Sequence, residues 1–382
     1  MPDLDGGLER LRSHMEAATA AVQVELHGQR ATLLTTEPRA RETLFSVFGR
    51  QARVTDAGRP DAAGWRVGCL RSDELYHAWS RRFESAVSAG CPVTEVRRWD
   101  GDPAALRADL ADHVAVVRHT TPFTGITVFA QPMRLSAYLL PAAEQPSVHH
   151  VEHLVKYPLR VGCWTAGGVE AHSATCRYRD RGVVMMGFRH SGKTTLAMHL
   201  LSRGGGLLGS DLVLLRAGPG GLAAAAIPAV CRIAAETIED NAYLRASVPS
   251  SPHGPDHLRG RVFFDGKHEL YPPALDDLFG RPVAVATCAA DLIVFPGFSR
   301  DRAGQRLRWL PAHEAQVLVR ERLVTDKPLP DWLPFAEVHA RAGIEARSLD
   351  GLVERLPPVA QLEFGREDTL DWGEIDEAVD GA

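Results

Sequence analysis

The amino-acid sequence predicts an α/β protein in two parts, and three observations carry that prediction. An apolar run, Val183-Val184-Met185-Met186, leads through a glycine-bounded loop into a helix-like stretch, Lys193 to Leu201. Upstream, short alternating runs are interleaved with segments of helical spacing. Between them, Pro141-Ala142-Ala143-Glu144-Gln145-Pro146-Ser147 has the composition of a linker. The expected division is an N-terminal α/β domain over 1–145, a C-terminal domain with a mixed sheet over 150–365, and an acidic tail over 366–382.

Taken in order, residues 7–22 read as a helix, with Leu8, Leu11 and Met15 on one face. Ala21 to Leu26 alternates like a strand, His27-Gly28 suits a turn, and Ala31 to Thr35 follows as a second strand. Glu42 to Phe48 is expected to be helical and Trp65 to Leu70 a strand. Ala105 to Val117 reads as helix, while Gly125 to Phe129 and Arg134 to Leu140 read as strands.

Beyond the linker, strands are expected over 160–164, 172–178, 183–186, 207–208 and 212–216, with a turn at Gly218-Pro219-Gly220-Gly221. Asp265-Gly266 signals a hairpin. Asp291 to Phe295 reads as a buried strand and Ala312 to Val324 as an amphipathic helix. Residues 366–382 hold seven acids and one arginine, the composition of a solvated end.

Composition narrows the function classes. The 382 residues suffice for two cores, and 45% hydrophobic with 24% charged residues is ordinary for a soluble domain. A net charge of −5 and scattered arginines give no footprint for nucleic acid. Six well-separated cysteines without a C-x-x-C pair read as reduced thiols in a cytoplasm. The start, Met1-Pro2-Asp3-Leu4-Asp5, lacks a signal-like apolar stretch, and no run is long enough to span a bilayer.

Gly187-Phe188-Arg189-His190-Ser191-Gly192-Lys193-Thr194 matches G-x-x-x-x-G-K-[ST] residue for residue, and Thr195 follows inside the helix. The two glycines allow a nest of amides that converges on phosphate oxygens, and the helix adds its positive end. Lys193, one of only four lysines, can reach the β- and γ-phosphates, and Thr194 can offer its hydroxyl to Mg²⁺. The loop points to a nucleoside triphosphate, ATP, with Mg²⁺.

The flanks add a resemblance. His172 precedes Lys193 by 21 residues; Arg203-Gly204-Gly205-Gly206 and then Ser210-Asp211 follow it, with Asp211 18 residues beyond. This order resembles the C-terminal domain of the HPr kinase/phosphorylase-like (HPr serine kinase) P-loop kinases. That family carries a short histidine-containing strand before the loop and an Arg-Gly-His…Asp-Asp strand after it. The close match covers about 169–216, with weaker similarity to about 325. It implies a phosphoenolpyruvate-carboxykinase-like fold and γ-phosphoryl transfer to a hydroxyl, usually a serine's. Two positions depart: Ser210 stands where the family has its first aspartate, and Gly205 where it has a histidine. One carboxylate fewer alters the expected rate and metal demand, not nucleotide binding.

On this reading Asp211 ligates Mg²⁺ or takes the proton of an attacking hydroxyl; a turn aspartate is its plainer alternative. His172 contacts the γ-phosphate or orients the acceptor, unless it is a satisfied half-buried histidine. The resemblance implies that Arg232 holds transferring phosphate, the alternative being a surface arginine. Lys267 is a weaker candidate. His149-His150-Val151-Glu152-His153 matches the H-x-x-E-H zinc pattern, but beside a linker it reads as a solvated connector helix.

The expected activity is that of an ATP-dependent kinase acting on a hydroxyl of a small molecule, peptide or protein, with the N-terminal domain recognising the acceptor. The rivals are a nucleotide-binding sensor or scaffold with little turnover, and an ATPase. The residues leave a homo-oligomer open.

Overall fold

Continuous apolar runs and alternating runs both found their places as strands, but in sheets of different kinds. The computed structural model describes residues 3–58, 64–97, 103–111, 113–120, 124–247, 267–323, 344–367 and 370–382. They form a mixed α/β chain with several sheets and fall into two compact units. One holds residues 3–45 and 53–162; the other holds 46–52 and everything described from 163 onward.

The first unit is built on a nine-stranded sheet. Its strands are β1 (Ala20–Leu26), β2 (Gln29–Thr35), β3 (Arg53–Asp56), β4 (Trp65–Arg71), β5 (Val93–Arg97), β6 (Pro103–Ala111), β7 (Val114–His119), β8 (Gly125–Ala130) and β9 (Leu135–Leu140). They lie in the order β3-β1-β2-β4-β9-β8-β7-β6-β5, parallel at β2–β4 and β4–β9 and antiparallel elsewhere. The helices are α1 (Leu4–Glu16), α2 (Pro38–Phe48), α3 (Asp73–Ser88) and α4 (Val148–Thr165). Leu8, Leu11 and Met15 of α1 and Leu75, Trp79 and Phe83 of α3 recur at helical spacing and fill one core with Leu34, Val116, Val128 and Ala137. Polar groups are buried elsewhere in this unit: Thr127 Oγ1 lies 2.8 Å from His119 Nε2 and 2.9 Å from His150 Nε2.

Four expectations about this half and the chain's end are corrected. Ala105 to Val117 is not a helix. Its Ala, Leu and Arg content favours helix locally, but Ala108 pairs with Val116 across a turn that holds His113 at φ +67°, and β5 covers the other edge. Residues 160–164 are not a strand but the last turns of α4, which keeps Pro158 inside it. Nor is α4 a solvated connector, because Val151, Leu154, Val155 and Leu159 are buried. The acidic end is not a solvated tail: Trp372–Asp380 is a helix, started by Asp371 accepting from the Glu374 amide, with Ile375, Ala378 and Val379 buried. The expected hairpin turn at Asp265-Gly266 lies outside the described residues.

In the second unit, β10 (Val169–Ala171), β11 (Ser173–Tyr178) and β12 (Arg181–Met186) lead into α5 (Lys193–Ser202). Then come β13 (Gly206–Gly209), β14 (Val213–Gly218), β15 (Gly221–Ala226), β16 (Cys231–Ala234), α6 (Ala235–Asp240) and α7 (Ala242–Ser247). The chain continues through β17 (Lys267–Leu270), α8 (Pro272–Leu278), β18 (Thr287–Ala289), β19 (Leu292–Phe298), β20 (Arg306–Trp309) and α9 (Ala312–Arg322). A helix at Ile344–Val353, β21 (Val359–Phe364) and the C-terminal helix complete it. The central sheet runs β13-β11-β12-β19-β21-β20, and a second sheet runs β10-β14-β15-β18.

Strand β12 explains its own composition. Val183 and Met185 pack into a core with Leu196, Ala197 and Leu200 of α5. Val184 and Met186 face the opposite core, with Val213 and Leu215 of β14 and Ala315 and Val319 of α9. A strand buried on both faces reads as an unbroken apolar run. Segment 46–52 is tied into this unit by Arg50, 2.8 Å from Asp276, and by Gln51. The Gln51 amide nitrogen donates toward the carbonyls of Leu207, Leu208 and Val285 at 3.1, 2.7 and 3.1 Å.

Candidate active site

Strands β12, β19 and β21 are parallel, and β13 runs the same way because β11 is antiparallel to both β12 and β13. Their carboxyl ends deliver Gly187, Phe298, Phe364 and Gly209-Ser210-Asp211 to one end of the sheet. That is where open α/β sheets bind ligands. The start of β11 lies there too, since Ser173 pairs with Met186.

The loop from Gly187 to Gly192 turns tightly. Gly187 has φ +152°, His190 +66° and Gly192 +95°. A Cβ on Gly192 would stand 2.5 Å from the Phe298 Cβ, and one on Gly187 would stand 2.6 Å from Ser191 Oγ, so both positions need glycine. The Phe298 amide donates to the Ser191 carbonyl at 3.0 Å, fastening the loop to the end of β19. The Lys193 ammonium is buried and donates to the carbonyls of Gly187 and Phe188, both at 2.8 Å. Thr194 is half-buried at the start of α5, where amides lack intrahelical partners. The Thr195 hydroxyl is turned away into the α5–α6 packing, 2.9 Å from Thr237 Oγ1.

Phe188, Arg189 and His190 are exposed. The guanidinium of Arg322, at the end of α9, lies over the Phe188 ring, 3.3 Å from its centroid. Leu323, the next residue, forms a backbone bridge with Ala171. This places the end of α9 beside His172.

His172 sits between β10 and β11. Ala171 pairs with Val213, which brings the residues just before β14 beside His172, and His172 Nε2 lies 3.3 Å from Asp211 Oδ1, two residues before that strand. His172 Nδ1 is buried without a hydrogen-bond partner among the described residues. Burial pushes the Cys231 thiol up to about 11; Ser210 lowers it, the Asp211 charge raises it, and Arg232 lowers it. Cys231 thus feels both Asp211 and Arg232, and with Ser210, Asp211 and Leu208 it lines a shallow cleft. Arg232 itself is engaged by its strand partner Glu269 at 3.0 Å. Lys267 lies at the far end of the same two-stranded pairing, opposite Ala234.

The fold therefore gathers His172, Asp211 and the loop at one sheet end, with Arg232 one residue from Cys231, which lines a cleft together with Ser210 and Asp211. Sequence reasoning missed Cys231, Glu269, Thr237 and Arg322, which lie far along the chain and carry no local pattern. Only Cys231 had a signal, its place next to Arg232. The zinc-like stretch has another use, since Glu152 pairs with Lys156 at 2.7 Å inside α4. The described residues hold no group of three or more His, Cys, Asp or Glu side chains arranged for a metal ion. All six cysteines are free. No described helix is long and apolar enough to cross a membrane.

No family model matches the chain, and no curated protein matches it. Among solved structures, it shows a distant likeness to the HPr(Ser) kinase/phosphatase from Coxiella burnetii. That match covers 56% of this chain and 93% of the other at 12% identity, with a TM-score of 0.25.

Proposed function

We propose that this chain is an ATP-dependent kinase. It would transfer the γ-phosphoryl group to a hydroxyl, serine-like, on a small molecule, a peptide or a protein. The observation that carries this reading is the loop: two glycines whose Cβ positions are blocked, a buried lysine ammonium turned onto the loop, and a helix start, all at the carboxyl ends of parallel strands. In the same reading residues 163 onward form a phosphoenolpyruvate-carboxykinase-like P-loop fold, and the first unit recognises the acceptor. The six free thiols suit a cytoplasmic setting.

The residues fit ATP with Mg²⁺. The nest and Lys193 would hold the phosphates, and the Thr194 hydroxyl and Asp211 carboxylate are the hard oxygen donors that Mg²⁺ prefers. When bound, Mg²⁺ neutralises charge on the β- and γ-phosphates. Asp211 accepts the acceptor's hydroxyl proton as its oxygen bonds to the γ-phosphorus and the bond to the β-phosphate oxygen breaks, releasing ADP. His172, 3.3 Å away, holds Asp211 in orientation. Arg232 would contribute charge from the side of Cys231.

The test is incubation with γ-labelled ATP, Mg²⁺ and hydroxyl acceptors. Label on an acceptor supports the kinase; label released only as phosphate points to an ATPase. Tight binding with neither product points to a sensor, the reading favoured by Ser210 in place of a second acid.

A further inference from the structure

We propose that Gln51 is a positioning residue for Asp211, holding the bulge in β13 from which the turn carrying that carboxylate departs. The inference rests on the kinase reading, in which Asp211 is the base, and names the group that sets its place. The bulge is visible in the strand register. Across β11 and β13, Thr175 pairs with Gly209 and Cys176 with Leu207, so Leu208 is an extra residue on β13. An extra residue bends its strand and re-aims the side chains that follow. Here those are Ser210 and Asp211. The turn between is tight, because a Cβ on Gly209 would stand 2.7 Å from the Leu212 carbonyl oxygen. Little slack is left to absorb a shift at Leu208 before it reaches Asp211.

Successive carbonyls of a regular strand point to opposite sides, yet the Gln51 side-chain nitrogen reaches those of both Leu207 and Leu208. The shortest of its bonds, 2.7 Å, goes to Leu208, the residue that the bulge takes out of regular pairing. Another goes to Val285 at 3.1 Å, in the segment along the other edge of β13. There the Leu207 amide donates to the Val283 carbonyl at 2.6 Å, and the Val285 amide donates to the Leu207 carbonyl at 2.9 Å. Gln51 is itself fixed. Its backbone amide and that of Ala52 both donate to the Phe48 carbonyl, at 3.0 and 2.8 Å. The neighbouring Arg50 lies 2.8 Å from Asp276, which accepts from the Val283 amide at 2.8 Å. The Gln51 side chain is half-buried and lines the same cleft as Ser210 and Asp211. It therefore stands where β13 leaves regular pairing, just before the Gly209-Ser210-Asp211 turn. Sequence reading gave Gln51 no role, because it is far from Asp211 along the chain and carries no local pattern.

The test uses the full chain with γ-labelled ATP, Mg²⁺ and N-acetylserine amide, turnover being the label that leaves ATP for that hydroxyl or for water. Gln51→Met keeps the length of the side chain and removes its donors; Gln51→Asn keeps the amide on a shorter stem. Both are made in wild type and in Asp211→Asn, with thermal unfolding to show that each variant is folded. Gln51→Met should lower turnover roughly tenfold to a hundredfold, the scale of an ångström's misplacement, with ATP affinity by calorimetry unchanged. Gln51→Asn should fall in the same direction, and it carries the test if Gln51→Met does not fold. In Asp211→Asn neither change should cost anything further, since a group that acts through Asp211 has nothing left to place. An equal loss in both backgrounds, or no loss in wild type, overturns the assignment and leaves Gln51 a structural amide. Label that reaches only water points to the ATPase reading, while the same comparison still decides Gln51. Wild type that loses no label to either overturns both.

Discussion

Helices α4 and α5 each bury a lysine: Lys156 is 5% exposed and Lys193 is 7% exposed. Lys156 meets a carboxylate of its own helix, Glu152, one turn earlier at 2.7 Å. Lys193 meets the carbonyls of Gly187 and Phe188. A carboxylate cancels charge, whereas carbonyl dipoles solvate it. The two regions teach that burial of a cation says little until its partners are named. One lysine closes a helix surface into a core, and the other is turned onto the loop where phosphates are proposed to bind.

Exchanging the two lysines for alanine separates the roles most sharply. Lys193→Ala should abolish tight ATP binding or transfer, since no other lysine lies near in sequence to replace that point charge, and calorimetry with a melting curve checks it. Retained affinity would remove the basis of the functional reading. Asp211→Asn comes next, with turnover lower by roughly 10²–10⁴-fold as for a lost general base. If ATP affinity falls only when Mg²⁺ is present, Asp211 is a metal ligand first.

Lys156→Ala should leave nucleotide affinity alone and destabilise the first unit by about 3–5 kcal/mol, because it breaks the buried Glu152–Lys156 pair from one side. Denaturant melts measure that loss. The double change Glu152→Gln with Lys156→Met should restore most of it, since replacing both charges of a buried pair is often neutral.

At neutral pH the smallest effect concerns His119, whose pKa burial lowers from 6.5 to about 3. Between those values the unfolded chain binds a proton that the native chain refuses. Stability of the first unit should therefore fall as pH drops from about 6.5 toward 3, and His119→Gln should flatten that slope in urea titrations at several pH values. An identical slope in the variant would assign the acid sensitivity to other groups.

What could be read from the chain follows the same division. The loop, β12 and the start of α5 were legible because the G-x-x-x-x-G-K-[ST] spacing fixes a glycine-bounded turn and a helix start, and a strand buried on both faces is a plain apolar run. Several first-unit strands, β1, β2, β4, β8 and β9, were legible from local alternation or apolar content. Pro103–Ala111 was not, because its pairing with the neighbouring strands β5 and β7 outweighs its helical composition. The C-terminal helix was masked by its acids, although Trp372, Ile375 and Val379 recur at helical spacing. At the site, His172 and Asp211 were named from the sequence, but their 3.3 Å contact depends on the pairing of β10 with β14. Cys231 comes beside Ser210 and Asp211 only through the tertiary fold.

Gln51 carries a consequence for how the protein can be divided. Its amide shares two hydrogens among three carbonyls near β13, yet it lies in the middle of the sequence that builds the first unit. A fragment beginning at residue 146 would keep the whole Gly187–Gly192 loop but lack 46–52, and the Leu207, Leu208 and Val285 carbonyls would lose the Gln51 amide as a donor. Such a fragment should bind ATP less stably than the whole chain. Supplying residues 46–52 through a short fused linker should restore it better than any shift of the cut site. During synthesis, the ribosome releases this seven-residue piece long before the unit it completes, so its docking must wait for the rest of that unit to emerge.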